Sequence, residues 1–319
     1  MAGLRPDRWQ SLPHVERLLA RADRRPEPVG YAAGLLALFG IEPSEGADLP
    51  TAALCFLADT GERPGGFVLH ADPLELVPDR DCLRAFSLDA DRPDSGELAE
   101  LVGAFNAHFG DDGIRLLCSD SGRLYLYCDR TPSIETTPLP VVVGRDLDPF
   151  LPTGAEGEQW RALLNETQML CHSLPSNQAR EATGRRTVGG LWFSGGGGIP
   201  PMGPAPVARL VGDDDLARGL LMLGELVGGD DELIVDTAPG RAVQHVDAEA
   251  WVGALADLEG RMPHLMRDCD ALHLHPGNGT VYTWHARAAR RFWRRQRPLV
   301  ARLDVDGQTP GGRRDAKRL

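Results

Sequence analysis

The chain has 319 residues, of which 42% are hydrophobic and 25% are charged, and its formal net charge is −12. This length predicts about two globular domains, and the acidic balance argues against general binding of nucleic acid by the whole surface. No apolar run approaches the roughly 18–20 residues of a membrane span, and the first residues lack a hydrophobic signal region. The six cysteines are scattered without a C-x-x-C pair, which predicts neither a zinc ribbon nor a disulfide framework. We therefore expect a cytoplasmic protein with no membrane partner.

Two apolar helices are predicted near the start of the chain. The first covers residues 12–22, and the second covers residues 30–43, where Gly40 and Pro43 end it. Both are rich in Leu and Ala, so we expect both to contribute to a hydrophobic core.

A change of pattern follows between residues 61 and 143. A strand is predicted at residues 65–76 and a hairpin at residues 114–128. Between them we predict a helix that has Ser95 as its N-cap and ends at Gly110. A strand, a helix and a hairpin in series indicate an α+β unit of their own.

The second half of the chain alternates predicted helices and strands. They cover residues 156–172, 189–194, 213–228, 232–236, 248–258 and 271–284, the last being two strands joined at Asn278–Gly279. Such alternation predicts an α/β core built around a mostly parallel sheet.

The glycine-rich stretch GGLWFSGGGGIPPMG, residues 189–203, raises the question of a phosphate-binding loop. Such a loop is normally followed by a helix N-terminus that carries Lys and Ser or Thr. Here Ile199, Pro200 and Pro201 follow instead. We therefore expect a strand that ends in a tight turn.

Several of these segments, read in order, resemble the archaeal-type cofactor-independent phosphoglycerate mutases of the alkaline phosphatase superfamily. The resembling stretches are residues 12–22, 31–43, 175–200 and 211–228. The NETQM run at residues 165–169 and the RRFWRR run at residues 290–295 are similar to the bacterial RpfE-type regulatory proteins.

The resemblance implies an α/β fold with a degenerate alkaline phosphatase-like core and an inserted α+β domain. We predict that residues 1–69 and 186–300 form the core. Residues 70–185 are predicted to form the insertion with a connecting helix, and residues 301–319 a flexible tail, because the tail contains almost nothing to bury.

The mutases bind two divalent metals through Asp and His side chains and phosphorylate a Ser. This chain lacks the D-G motif with which the mutases begin, and it carries Tyr31 at the position of that Ser. The region that corresponds to the C-terminal metal ligands of the mutases contains only the sequence LHLHPGNG. Two-metal phosphoryl transfer needs its ligands and an activated nucleophile together. The departures therefore imply a non-catalytic or vestigial relative with a regulatory or ligand-binding role, no catalytic residue and no cofactor. The alternative is an active mutase or phosphatase that depends on a divalent metal such as Mn or Mg.

Two groups of residues are candidate metal ligands. His273 and His275 share one face of a predicted strand, but no third ligand lies nearby in sequence. Asp213, Asp214 and Asp215 begin a predicted helix, where acidic residues cap free N–H groups and complement the helix dipole. We predict that the two histidines are exposed residues of a hairpin and that the three aspartates cap the helix. We expect neither group to bind a metal.

A cluster of polar residues is the candidate pocket for a small anionic ligand. Asn165, Gln168 and His172 lie three and four residues apart on one helix face, and Asn177 and Arg180 follow. The candidate pocket comprises Asn165, Gln168, His172, Asn177, Arg180, Gly195 and Gly196. Arg can bind carboxylate or phosphate bidentately. The alternative is a hydrogen-bonded network that holds a domain junction.

The C-terminal region is strongly basic, with eleven Arg or Lys and three Asp from residue 286 to the end. Residues 286–298 predict a helix in which Phe292 and Trp293 pack while the arginines stay in water. The alternative is a scaffold that binds an acidic protein or nucleic acid through this region. Elsewhere on the chain nucleic-acid binding is not expected.

Overall fold

A computed structural model describes residues 11–42, 46–80, 82–88, 91–224, 230–244 and 247–299. The predicted flexible tail, residues 301–319, lies outside these ranges. Two compact units are present. Unit 1 contains residues 1–30 and 236–319, and unit 2 contains residues 31–235.

The helices form where apolar residues recur at helical spacing. Those of the described ranges are α1 (Pro13–Arg21), α2 (Tyr31–Leu38), α3 (Thr51–Thr60), α4 (Ser95–Phe109), α5 (Leu139–Val142), α6 (Gly157–Ser173), α7 (Pro175–Ala182), α8 (Asp215–Leu223), α9 (Ala238–Gln244) and α10 (Ala248–Asp268). Every one of them is too short or too polar to cross a membrane.

The strands are short except for one. They are β1 (Asp23–Val29), β2 (Phe67–Asp79), β3 (Cys82–Ser87), β4 (Ile114–Cys118), β5 (Leu124–Cys128), β6 (Gly190–Gly197), β7 (Arg209–Val211), β8 (Glu232–Ile234), β9 (Ala271–Leu274) and β10 (Asn278–His285). The chain is a mixed α/β protein, as predicted.

Unit 2 is organised around the long strand β2. It pairs with β3, β5 and β6, and β4 adds to β5, so that five strands form one antiparallel sheet. The prediction of a mostly parallel sheet is wrong for the described residues, where only β7 and β8 pair in parallel. Two parallel neighbouring strands must be joined by a long crossover connection. β4 and β5 are joined by a short hairpin turn, so they can pair only antiparallel.

Both faces of this sheet are covered by helices. Successive residues of a strand point to opposite faces, and β2 accordingly places Leu69 in a core with α4 and α6, and Val68 in a second core with α2, α3 and α8. This burial on both sides explains why β2 begins with three successive apolar residues, Phe67, Val68 and Leu69.

Unit 1 contains a three-stranded antiparallel sheet in the order β1, β10, β9. Its core joins α1 and α10 to the sheet through residues such as Leu18, Met262 and Trp284. The N-cap of α1 is Leu12, which has no capping side chain. The carboxylate of Glu259 in α10 instead accepts hydrogen bonds from the backbone N–H groups of His14, at 2.9 Å, and Val15, at 3.0 Å.

Several predicted boundaries differ from the structure. The N-cap of α4 is Asp94, not Ser95, and it forms a capping box with Glu97. The helix predicted to end at residue 258 continues to Asp268 with Pro263 inside it. The β9–β10 turn precedes Asn278, since Asn278 and Gly279 already belong to β10 and Asn278 pairs with Val29 of β1.

The limits of the compact units also differ from the predicted domain limits. β2 crosses residue 70 without a break and pairs with β6 beyond residue 186. The separate insertion at residues 70–185 stays a prediction.

Candidate functional site

The glycine run does not form a loop beyond the strand, because Gly195, Gly196 and Gly197 lie within β6. A Cβ at Gly195 would overlap Thr51 Oγ1, one at Gly196 would lie 2.6 Å from the Phe67 ring, and one at Gly197 would lie 2.5 Å from Pro50. The glycines therefore allow β6 to pack closely against the start of α3 and against β2.

The backbone donors of this run are directed at protein acceptors. The Gly195 N–H donates to Thr136 Oγ1 at 3.3 Å, and the Gly196 N–H donates to Asp48 Oδ2 at 3.3 Å. Asp48 also accepts a hydrogen bond from the Thr136 N–H at 2.8 Å. A carboxylate thus occupies the place that an anion would take, which weighs against a phosphate cradle.

Arg180 is 1% exposed and is bound on several sides. Its guanidinium donates to both carboxylate oxygens of Glu97, at 2.9 and 2.6 Å, and to the carbonyl oxygens of Asp91 and Arg186. The neighbouring Asn177 is also buried, and its side chain bonds the carbonyl groups of Cys171 and Val188 and the N–H of Val188. These contacts favour the network interpretation of the polar cluster.

The other predicted pocket residues lie elsewhere. Asn165, Gln168 and His172 are exposed on α6, whereas Gly195 and Gly196 are buried in β6. The structure therefore separates the seven residues into an exposed helix face, a buried network and a glycine strand. Their role in binding stays a prediction.

A buried charged cluster that the sequence did not reveal lies where α3, β5 and α8 meet. Asp59 Oδ2, on a side chain that is 2% exposed, accepts hydrogen bonds from Tyr125 OH at 2.7 Å and Arg123 Nη1 at 2.9 Å. Arg123 also pairs with Asp215, which pairs in turn with Arg218. Since Asp59 and Arg123 are 64 positions apart, no local spacing indicates this cluster.

Tyr31, at the position that the resemblance assigns to the nucleophile, is 47% exposed and lies beside the carboxylate of Asp214. Partial burial raises the pKa of the Tyr31 phenol above its ordinary value, and the neighbouring Asp214 carboxylate raises it further. Asp214 is also the N-cap of α8 and accepts a hydrogen bond from the Ala217 N–H at 2.8 Å. The capping prediction is thus confirmed for Asp214.

His70 on β2 is a second group of unit 2 that sequence reasoning missed. Its Nε2 lies 3.2 Å from Thr51 Oγ1, and its ring lies 5.8 Å from that of Tyr125. Burial lowers the pKa of His70 to about 4, and nearby Arg123 contributes to the same shift. The imidazole is therefore neutral at neutral pH.

The two predicted histidines of unit 1 have different partners. His275 Nδ1 lies 2.7 Å from Glu27 Oε2, and His273 Nδ1 lies 3.0 Å from Thr283 Oγ1. Within the described ranges no three His, Cys, Asp or Glu side chains are grouped so that they could hold a metal ion. The two-metal site implied by the resemblance therefore finds no matching ligand set in this part of the chain.

A cleft of about 340 Å³ lies in unit 2 beside α6. Trp160, Leu163 and Ile114 contribute apolar surface, while Arg130, Asp112 and Glu166 contribute charge. This volume falls within the range of small-molecule sites, about 300–1,000 Å³. The cleft thus uses a set of α6 residues different from the predicted one.

The arginine-rich region of unit 1 does not form the predicted helix. A 3-10 turn covers Ala288–Arg290, and irregular backbone follows. Phe292 and Trp293 are 80% and 66% exposed, so the prediction that they pack is wrong. The segment is attached through its arginines instead, since Arg291 is bound to Asp23 and Arg294 to the Ala22 carbonyl oxygen.

Comparison with known proteins gives only distant similarities. No protein-family model matches the chain, and no curated protein sequence is significantly similar to it. The structure is similar to a cofactor-independent phosphoglycerate mutase from Thermoplasma acidophilum, with a TM-score of 0.36 and 16% identity, over 86% of this chain and 82% of that one. It is also similar to the PH0037 protein of Pyrococcus horikoshii, with a TM-score of 0.43 and 13% identity, over 87% and 80% of the chains. These values are too low to carry an argument about activity.

Proposed function

We propose that this chain is a non-catalytic relative of the phosphoglycerate mutases that acts by binding a ligand, in a regulatory role and in the cytoplasm. The observation that carries the proposal is the environment of Tyr31. The residue in the nucleophile's position is a half-exposed phenol beside the carboxylate of Asp214, whose negative charge opposes ionisation of the phenol.

This arrangement opposes activation of the phenol. A nucleophile is activated by a base that takes its proton or by a lowered pKa. Deprotonation of Tyr31 would place a phenolate against the negative charge of Asp214, and the pKa of Tyr31 is raised accordingly. Asp214 is itself held as a helix cap, which fixes the unfavourable neighbour in place.

The candidate metal ligands also do not fit the two-metal reaction of the mutases. Asp214 is used as a cap and Asp215 is paired with two arginines, so neither carboxylate is free to coordinate an ion. His273 and His275 belong to unit 1 and offer only two imidazoles. We derive no metal-dependent step from these residues.

The ligand-binding part of the proposal rests on the cleft beside α6. An anion at Arg180 would have to displace Glu97 from a buried pair, whereas the cleft is open to solvent. Its rim carries one positive and two negative side chains, Arg130, Asp112 and Glu166. This charge suits a small ligand with an apolar body and mixed charge better than a phosphate. The regulatory role rests on the resemblance to the RpfE-type proteins.

The test is a phosphoglycerate mutase assay of the purified full-length chain with added manganese, zinc or magnesium. We expect no turnover above background, because the raised pKa of Tyr31 keeps this phenol protonated. We also expect no stoichiometric metal by elemental analysis. An archaeal mutase assayed in parallel serves as the positive control. Turnover that a chelator abolishes and metal restores would replace this proposal with the alternative of an active metal-dependent enzyme.

A further inference from the structure

Two neighbouring aromatic rings of unit 1 project into solvent from a firmly attached segment. Arg291 binds both carboxylate oxygens of Asp23, at 2.7 and 3.0 Å, and Arg294 donates to the Ala22 carbonyl oxygen at 2.9 Å. Between these anchors, Phe292 and Trp293 stack edge to face with ring centroids 5.4 Å apart. Because the backbone is held on both sides, the exposure of the rings is a property of the fold.

The rings are surrounded by positive charge. Residues 286–299 contain six arginines and no acidic residue. Arg291 and Arg294 hold the segment in place. The other four, Arg287, Arg290, Arg295 and Arg297, are exposed, and their side chains make no hydrogen bond or ion pair with another described residue. They are free to contact a partner.

The charge of the whole chain is divided unequally between the units. Unit 1 contains 20 Lys or Arg and 14 Asp or Glu residues, a formal net charge of +6. Unit 2 contains 14 Lys or Arg and 32 Asp or Glu residues, a formal net charge of −18. Asymmetry of this kind is typical of proteins in which one part binds a polyanion. At physiological ionic strength, charges beyond about 8 Å are largely screened, so the local surplus decides what this surface attracts.

A depression of about 540 Å³ next to the segment adds to the positive surface. It is lined by Ala20, Asp23, Arg24 and Arg294. Its single carboxylate, Asp23, is already paired with Arg291 and His285, and these hydrogen bonds lower the pKa of Asp23 to about 2. The two arginine side chains that line the depression are therefore not opposed by an unpaired negative charge there.

We propose that Arg287, Arg290, Phe292, Trp293, Arg295 and Arg297, the aromatic–arginine surface, bind single-stranded nucleic acid. Exposed aromatic rings offer stacking platforms for unpaired bases, and arginines contact the phosphates between them. A duplex keeps its bases stacked inside and would use the arginines alone. An acidic protein segment would likewise use the charges and leave the two rings without a role. This inference is independent of the function proposed above.

The experiment measures the fluorescence anisotropy of a labelled 12-nucleotide oligothymidine on titration with the full-length chain at 50 and 150 mM salt. We expect binding that weakens with salt and is at least about tenfold tighter than for a duplex of equal length. The F292A/W293A variant is expected to bind about tenfold more weakly or worse, since both stacking platforms are lost. The R290Q/R295Q/R297Q variant is expected to flatten the slope of log K against log salt by about 2, at about 0.7 per lost phosphate contact.

Matched variants in unit 2 control for general effects. Met169→Ala removes another exposed apolar side chain, which is 73% exposed, and R63Q/R115Q/R209Q removes three exposed arginines. Both are expected to bind as the unaltered chain does, and all variants are expected to melt at the same temperature.

The proposal fails if the chain does not bind at 50 mM salt, or if the F292A/W293A variant binds normally. It also fails if duplex binds equally well, or if a polyglutamate peptide competes as well as oligothymidine of equal charge, which would indicate an acidic protein partner.

Discussion

Gly195 adopts a left-handed φ of +66°, and a Cβ there would overlap Thr51 Oγ1. Gly198 has the same sequence neighbourhood, yet a Cβ there would approach nothing closer than the Gly66 carbonyl oxygen at 3.8 Å. The run of four glycines therefore contains positions with different requirements. Sequence alone could not separate them, because the atom that excludes a side chain from Gly195 belongs to a residue more than a hundred positions away.

We expect Gly195→Ala to lower the free energy of unfolding by about 2–5 kcal/mol. A left-handed conformation costs about 1–2 kcal/mol in a residue with a Cβ, and overpacking adds about 1–3 kcal/mol. Urea denaturation measures the loss, and Gly198→Ala is the matched control, for which little change is expected. Equal effects of the two substitutions would mean that β6 and α3 do not approach each other as closely as described.

The candidate site at the residue scale was predicted only in part. Helical spacing correctly placed Asn165, Gln168 and His172 on one face of α6, and that face is exposed. The spacing gave no information about Arg180, whose partner Glu97 is 83 positions away. Buried ion pairs of this kind depend on tertiary contacts, so local patterns could suggest a charge-binding residue but not that its partner is internal.

At the scale of the elements, Glu97 connects two helices. Its carboxylate completes the capping box of α4 and receives the guanidinium of Arg180 from α7. The hydrogen bond from the Arg180 side chain holds the pKa of Glu97 below its ordinary value of 4.5. Because the pKa is lowered on folding, the stability that Glu97 contributes is present above about pH 4.5 and is lost as the pH falls through its folded-state pKa.

We expect Arg180→Met to lower the free energy of unfolding at pH 7 by about 3 kcal/mol. This is the lower end of the range for removing one partner of a buried pair, because Arg185 still contacts Glu97 at 3.1 Å. Urea denaturation at a series of pH values from 7 downward should show the difference between variant and unaltered chain narrowing as the pH falls through the folded-state pKa of Glu97. Arg130→Met, which breaks an exposed pair with Glu156, is the control and should change little. A difference that stays constant with pH would contradict the role of Glu97.

The positions of most elements could be predicted because helix and strand periodicity is local. α1, α2, α4, α6 and the β4–β5 hairpin all lie close to their predicted residues. The direction of the strands could not be predicted in the same way. The alternation of helices and strands suggested crossovers, but β6 returns to pair antiparallel with β2, and this pairing is set by contacts over more than a hundred residues.

At the scale of the whole molecule, each hydrophobic core lies within one compact unit. Of the four clusters that the described residues form, three draw all their residues from residues 31–235 and one draws its residues from unit 1. Unit 2 is also a continuous stretch of chain, whereas unit 1 is assembled from two separate segments. These properties indicate that unit 2 folds as an autonomous domain.

A comparison of fragments distinguishes this division from the one predicted by sequence. We expect residues 31–235 expressed alone to unfold cooperatively in urea, because the fragment keeps the five-stranded sheet and the helices that cover both of its faces. Residues 70–185 lose β6 and the first residues of β2, which exposes the apolar face around Phe105 and Leu126. That fragment is expected to show no cooperative transition by circular dichroism. If it unfolds cooperatively and residues 31–235 do not, the insertion predicted from sequence is the true folding unit, and β6 contributes pairing without being required for the fold.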